Sequence, residues 1–255
     1  MGHGHSKAAT ANPQLPPDVA ARGFPRKFVA SYNKAWSTKV TVLLSDPDSS
    51  DQPAYAVALD QGWYGNMTLH GGPSKDHEPL ANVQPAGRMR QDFSITLPAL
   101  PPSYDHQRSE ILRWSATLKR ELFWFAMEIG DGEHRHVEKF EWRRSHGSEV
   151  KSIGGKAAWG WKLLRMGNDV GGDDHDHDES GERVDGLSSD NKEVVAVWAE
   201  STSFKSMSKI GDFEFRGSGA TGELGQLWSI MAAVSCMCIW QKTMQVATAN
   251  GIAAA

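Results

Sequence analysis

The sequence predicts a mainly β protein, a closed barrel of about eleven to twelve strands around a hydrophobic C-terminal central helix. After residue 24, short runs rich in Val, Ile, Leu, Trp and Phe recur at about eight- to twelve-residue intervals, separated by Gly, Pro, Asp and Asn. A long apolar run follows at 227–242, near the C terminus. Because this run is apolar on every face of a helix, it must be enclosed, and a barrel of this size has a lumen wide enough to hold it.

The composition is that of a globular protein with a buried core. The chain has 255 residues, of which 39% are hydrophobic and 23% charged. Its formal net charge of -4 gives no overall attraction to nucleic acid, so an anionic partner would have to bind a local basic patch. Cys236 and Cys238, the only cysteines, lie inside the apolar run, where a disulfide between them would be strained. They indicate buried thiols in a reducing compartment.

The domain organisation follows from a change in composition near residue 24. The first 23 residues lack an aliphatic cluster and are predicted to be a disordered tail, followed by a single domain over 24–250. The tail has neither the apolar segment of a secretory signal nor the Arg enrichment of a mitochondrial one. We therefore expect a cytoplasmic location, with nuclear or peripheral-membrane placement left open.

Eleven strands are predicted from the alternation pattern, in two groups separated by a Pro-rich crossover at 98–109. An acidic loop at 167–192 interrupts the second group, and no helix is predicted among the strands. The first group covers 38–46, 54–60, 64–70, 79–84 and 92–98, and the second covers 110–116, 122–129, 136–143, 160–166, 193–200 and 212–217.

The central helix is predicted over about 222–248. Thr221 can cap its start, Glu223 suits the positive end of the helix dipole, and Asn250 with Gly251 marks its end. The apolar middle of about fourteen residues spans roughly 21 Å, which is short of the ~30 Å hydrocarbon core of a bilayer. This length favours burial in protein over a membrane span.

The order of elements resembles that of the tubby C-terminal-like barrel, which tubby, the plant LURP-one-related proteins and the phospholipid scramblases share. The resemblance is carried by the strand series over 38–217, with PLANVQ (79–84) followed by a basic hairpin, and by ATGELGQLWSIMAAVSCMCIW (220–240). It covers about residues 25–248, while the Trp-rich strands and the Asp/His loop depart from the family pattern. The resemblance implies a non-enzymatic module that binds phosphoinositide or another lipid through a Lys/Arg pair on adjacent strands.

The predicted lipid site is a basic, Trp-containing stretch at 134–162. Strand alternation places Phe140 and Trp142 on one face and Lys139, Glu141 and Arg143 on the other. Basic side chains beside indoles suit an anionic membrane surface. The alternative is an ordinary sheet face with buried tryptophans. A further hypothesis has the acidic segment 173–182 fold back over this basic face and screen it. The headgroup candidates are Lys139, Arg143, Arg144, Lys151 and Lys156, with Lys162, Trp159 and Trp161 close by in sequence.

The acidic loop also contains a weak metal-site candidate. In the DDHDHD run at 173–178, Asp174, His175, Asp176 and His177 are all residue types that ligate divalent cations. A flexible loop does not preorganise such ligands, so a solvated acidic loop is the alternative.

Enzymatic motifs are weak in this sequence. The GSGATG run at 217–222 matches a dinucleotide fingerprint, but no second strand with an acidic residue follows it, which favours a glycine hinge. Glu128, Glu138 and Glu141 could pair as acid and base, without an accompanying nucleophile motif. No cofactor is predicted.

Three functions are therefore open at the level of sequence. The first is a non-enzymatic module that binds anionic membrane lipid or acts as a scaffold, without a nucleic-acid partner. The second is a tail-anchored or scramblase-like protein in which 227–240 enters lipid. The third is a barrel enzyme or small-ligand binder.

Overall fold

Twelve antiparallel strands form a closed barrel in the computed structural model, which describes residues 11–33, 40–47, 52–99, 108–117, 121–130, 132–156, 158–167, 186–201 and 208–251. Each strand pairs with its neighbours in sequence, and β12 pairs with β1 to close the ring. The strands are β1 (Lys27–Tyr32), β2 (Val40–Ser45), β3 (Pro53–Leu59), β4 (Met67–His70), β5 (Pro79–Ala86), β6 (Asp92–Leu97), β7 (Arg108–Ala116), β8 (Glu121–Ile129), β9 (His136–Ser145), β10 (Gly160–Gly167), β11 (Glu193–Glu200) and β12 (Lys209–Phe215).

The central helix fills the barrel lumen, as the sequence predicted. The helices are α1 (Pro17–Arg22), α2 (Ser148–Gly154), α3 (Gly217–Thr221) and α4 (Gln226–Ala249), of which α4 is the central one. The indole of Trp228 lies 5.5 Å from the ring of Phe140 on β9, and that of Trp240 lies 5.9 Å from the ring of Tyr32 on β1. Because these contacts reach different walls, the strands surround α4. Among the described helices, none combines the length and the apolar character that crossing a bilayer requires.

The start of α4 differs from the prediction by four residues. Gly222 and Gly225 both have φ 83°, a backbone conformation that glycine adopts without strain, and the chain turns into the lumen between them. Thr221 therefore ends α3, and Gly225 precedes α4 without a side-chain cap. The glycine run thus acts as a hinge, as its sequence context favoured.

All eleven predicted strands are present, and β1 is the one described strand that was not predicted. Its sequence, KFVASY, has a short apolar run in which Phe28 and Ala30 point into the core. The alternation pattern of this short segment is too weak to identify a strand from sequence. Its pairing with β2 and β12 on its two edges fixes it in the barrel.

The prediction of a disordered tail over 1–23 is wrong for its described part, residues 11–23. The side chain of Val19 on α1 is buried in the main core. Gln226 Nε2 donates a hydrogen bond to Val19 O at 3.0 Å, and Gln14 N donates one to Pro79 O at 2.8 Å. The segment itself is poor in aliphatic residues. It is ordered because it covers apolar surface at the end of the barrel where α4 begins.

A second, smaller core lies on the outside of the barrel, under α2. Val150 of α2 packs into a buried cluster with Leu164, Val194, Val197 and Ala199 from β10 and β11. This helix interrupts the connection between β9 and β10, so the prediction that no helix occurs among the strands is wrong here. An outward row of apolar residues on β11 has no place on a solvated face, and α2 covers it.

The alternating strand directions divide the connections between two ends of the barrel. The end where α4 begins is called the first end, and its described residues are the N-terminal segment 11–26 and the connection residues 46–47, 52, 71–78, 98–99, 130, 132–135, 186–192 and 216–225. The end where α4 finishes is called the second end, and its described connection residues are 33, 60–66, 87–91, 117, 146–156, 158–159, 201 and 208.

Candidate functional site

The basic face that the sequence predicted on β9 is neutralised by carboxylates. Lys139 Nζ and Arg143 Nη2 each lie 2.8 Å from a carboxylate oxygen of Glu141, and Arg143 Nη1 lies 2.6 Å from Asp190 Oδ2. Burial opposes the charge of Glu141, but the hydrogen bonds from both cations outweigh it and hold its pKa below the usual range. Because Lys139 and Arg143 are paired with carboxylates, this face has little net positive charge to attract an external anion.

Arg144 is likewise engaged within the protein. Its guanidinium forms two hydrogen bonds to the carboxylate of Glu200, at 2.9 and 3.1 Å, and lies 5.3 Å above the ring of Trp161. Trp161 Nε1 donates to the same carboxylate at 3.2 Å. A bidentate arginine that is also stacked on an indole is a structural contact, and releasing it would cost both interactions.

Lys151 and Lys156 differ from the other three candidates, because both are exposed and neither forms an ion pair with a described residue. They lie on and just after α2, at the second end. Trp159 beside them is half exposed and packs against His146, with 4.6 Å between ring centroids. Trp142 and Trp161 are buried, so the alternative of core tryptophans holds for these two.

One carboxylate of the acidic loop, outside the segment to which the screening hypothesis applies, contacts the basic face. Asp190, near the end of the acidic loop, reaches back to Arg143 and also accepts a hydrogen bond from Ser188 Oγ at 2.6 Å. The segment 173–182, to which the hypothesis assigned the screening, lies outside the described residues. The metal candidates Asp174, His175, Asp176 and His177 lie outside them as well. Among the residues that are described, no group of three or more potential ligands could hold a metal ion.

The three strand carboxylates proposed as an acid and base pair are each held by arginine. Arg165 clamps Glu138 through Nε at 2.7 Å and Nη2 at 2.9 Å, and its Nη1 reaches Glu223 at 2.7 Å. Glu128 pairs with Arg108. The Arg165 contacts join the wall of the first end to the turn before α4, which gives Glu138 a structural role.

The two ends of the barrel differ in the charge of their described connections. Among the described residues, the connections at the second end contain four Lys and Arg residues against two Asp and Glu, whereas those at the first end, without the N-terminal segment, contain four against six. Formal charge is therefore separated along the barrel axis although the whole chain is nearly neutral. The four cations at the second end are Arg88, Arg90, Lys151 and Lys156.

The connection between β5 and β6 is the most unusual of those described at the second end. Met89 and Arg90 have φ of 62° and 56°, in the left-handed region that side chains other than glycine rarely adopt. Gly87, with φ 73°, lets the chain enter the turn, and Arg90 N closes it by donating to Gly87 O at 3.2 Å. As a result Arg88, Met89 and Arg90 are all exposed, and Met89 is 82% accessible. Two strained residues in succession at an exposed turn mark it as a functional candidate.

A groove of about 280 Å³ lies between this turn and the projecting end of α4. Tyr64 and Val246, each 53% exposed, belong to its lining together with Met89, and Arg90 Nη2 donates to Tyr64 O at 3.0 Å. The groove thus combines exposed apolar groups with a basic rim.

Lys242 is the cation inside the groove. Its ammonium donates to Gln91 Oε1 and lies 5.9 Å from the ring centroid of Trp114. Burial lowers the pKa of Lys242, while the carboxylates of Glu121 and Asp92 act in the opposite direction. An anion entering the groove would meet a partly desolvated positive charge, which strengthens attraction relative to bulk water.

From the sequence, the lipid site is predicted at 134–162, and the basic hairpin after PLANVQ supports only the family resemblance. Two signals in the sequence could have found the second end. The RMR run at 88–90 sits in a tight turn, where an exposed methionine is unusual. Sorting the predicted connections alternately between two ends would also have revealed the separation of charge.

Comparisons of the chain with protein-family models, with curated proteins and with solved structures gave no match. The architecture is consistent with a tubby-like barrel at the level of fold, with twelve strands in a closed antiparallel ring and a C-terminal helix.

Proposed function

We propose that this protein is a non-enzymatic module of the tubby-like type that binds anionic membrane lipid, including phosphoinositide, through the second end of its barrel. The observation that carries the proposal is the exposed Arg88–Met89–Arg90 turn, which presents an apolar side chain between two cations. The neighbouring groove and the cations Lys151 and Lys156 belong to the same end.

The physical reason is that an anionic membrane surface attracts both kinds of side chain at once. Each Lys or Arg near such a surface contributes about 1 kcal/mol through attraction to headgroups. Met89, Tyr64 and Trp159 are exposed apolar or amphipathic groups that can enter the interfacial region. Neither the headgroup attraction nor the entry of apolar groups is large alone. Both together at one end of the barrel support reversible binding.

The charge of the first end supports the same orientation. Its excess of Asp and Glu would be repelled by an anionic surface, so the barrel would dock with the end of α4 toward the lipid. The predicted cations on the barrel wall, Lys139, Arg143 and Arg144, would then stabilise the fold without touching lipid.

The two alternatives have less support. In the tail-anchored alternative the segment 227–240 enters lipid, but in the structure it fills the lumen, and extracting it would expose the apolar inner face of every strand. In the enzyme alternative a catalytic group should be free to react, whereas Glu138 and Glu141 are held in ion pairs.

The test is sedimentation with phosphatidylcholine vesicles, with vesicles that also contain phosphatidylserine, and with vesicles that also contain a phosphoinositide, at low and at high salt. We expect salt-sensitive binding to the anionic vesicles only. The double variant Arg88→Gln/Arg90→Gln should bind them about tenfold or more weakly, since two cations leave the interface.

A matched control is Arg26→Gln/Arg135→Gln, which removes two exposed cations from the first end. This variant should bind within about twofold of the unmodified protein, because the first end faces away from lipid. Equal loss in both double variants would refute the orientation, and absence of binding to any vesicle would refute the lipid function in favour of a scaffold role.

A further inference from the structure

Met89 is exceptional among the methionines that the structure describes. Its side chain is 82% exposed at the tip of the β5–β6 turn. Met67, Met127, Met231 and Met237 are buried in the core. The other two, Met166 and Met244, are partly covered, and Arg143 donates to the sulfur of Met166 at 3.7 Å.

We propose that Met89 is a methionine-oxidation site, and that its conversion to the sulfoxide weakens the docking of the second end on membranes. The inference rests on the proposed lipid function and adds a means of regulating it. The oxidant is a peroxide: the thioether sulfur of Met89 attacks one peroxide oxygen, the O–O bond breaks, and hydrogen peroxide is reduced to water while sulfur gains one oxygen. A thiol-dependent sulfoxide reductase reverses the change.

The structure favours selective attack at this sulfur. Oxidation requires the oxidant to reach the thioether, and a core methionine is reached only when the barrel opens. Met89 and Arg90 form the strained part of the turn, and the Met89 side chain there is open to solvent. The groove behind the turn leaves the opposite side of the tip open as well.

The consequence for docking follows from what the sulfoxide changes. An unmodified methionine side chain is apolar and gains free energy when it leaves water for the membrane interface. The sulfoxide is polar, so this gain is lost while the charges of Arg88 and Arg90 stay in place. Oxidation should therefore lower the affinity for anionic vesicles and leave the salt dependence of the residual binding largely unchanged.

The experiment treats the full-length folded protein with limiting hydrogen peroxide and maps the sulfoxides by peptide mass spectrometry. We expect Met89 to be oxidised first among the seven described methionines. Affinity for phosphatidylserine-containing vesicles should fall as the oxidised fraction of Met89 rises, by about tenfold when all of it is oxidised. Incubation with a thiol-dependent sulfoxide reductase should restore it.

The matched control is Met89→Leu, which keeps an apolar side chain that peroxide cannot oxidise. Its affinity for the vesicles should be the same before and after peroxide, and Met89→Gln should bind weakly without treatment and lose no further affinity when peroxide is added. The inference is overturned if Met89 is fully oxidised and affinity is unchanged, or if peroxide weakens Met89→Leu equally. A lack of vesicle binding before any peroxide is added would refute the proposed function itself, which separates the two failures.

Discussion

Trp142 on β9 donates a hydrogen bond from its indole Nε1 to the hydroxyl of Ser235 on α4, at 2.8 Å, and both side chains are fully buried. The Ser235 hydroxyl in turn donates to Ala232 O at 2.8 Å. The bond fixes the rotation and the height of the central helix against the wall, because the indole N–H of Trp142 would otherwise be a buried donor without an acceptor in an apolar lumen. A polar residue in the middle of the most apolar segment of the chain thus has a specific structural role.

Replacing Ser235 with alanine should destabilise the fold by about 1–3 kcal/mol, since the indole N–H of Trp142 would stay buried without an acceptor. Chemical denaturation measures the effect. Ser229→Ala, at a less buried position of the same helix, is the matched control and should change stability by less than about 0.5 kcal/mol. Equal stability of the two variants would show that the Trp142 bond does not anchor α4.

The covering of the first end by the N-terminal segment can be tested at Val19. Its replacement with alanine removes buried apolar volume, which should cost about 2 kcal/mol of unfolding free energy. Ala21→Ser changes an exposed position of the same helix and should cost less than about 0.5 kcal/mol. If Val19→Ala were as stable as Ala21→Ser, the segment would not be part of the cooperative unit.

The stability of the barrel should fall in acid. Glu138, Glu141 and Asp190 all have pKa values lowered in the folded state, because hydrogen bonds from arginine, lysine and other partners outweigh burial. A carboxyl with a depressed folded pKa stabilises the protein at pH above its unfolded pKa, and this stabilisation is lost as pH falls through the folded value. We therefore expect the free energy of unfolding to decline below about pH 5.

Glu141→Gln isolates one contribution to this decline. The variant should be less stable at neutral pH, because Lys139 and Arg143 lose their shared carboxylate, and its stability should depend less on pH in the acid range. Denaturant titrations at several pH values compare it with Glu121→Gln, an exposed carboxylate on β8. A parallel acid limb in Glu141→Gln and the unmodified protein would contradict the assignment.

The five headgroup candidates from the sequence should separate into two groups in vesicle binding. Lys151→Gln/Lys156→Gln should reduce binding to anionic vesicles several-fold with unchanged stability, because both cations are exposed at the second end. Arg143→Gln should instead lower stability and leave the binding of the folded fraction unchanged, because it leaves Glu141 and Asp190 short of a partner. If Arg143→Gln lost vesicle binding and Lys151→Gln/Lys156→Gln kept it, the lipid site would lie on β9.

The sequence by itself determined the wall of the barrel and the identity of its central helix. Alternation with a period of two residues is a local property, so the strands from β2 to β12 could be predicted without knowledge of their partners. The segment around Trp228 and Ser235 is apolar on every face, and only an enclosing structure can satisfy it. These two features together predict a closed barrel.

Only the tertiary structure decided which charges are free. Lys139 and Arg143 look like lipid ligands along the chain, but the strand register and the return of Asp190 from the acidic loop neutralise them. Conversely, Arg88 and Met89 acquire their importance from a strained turn and from the projecting end of α4 beside it. Coulomb attraction acts through space, over distances set by strand pairing and chain direction, so the free cations could not be identified from neighbours in sequence.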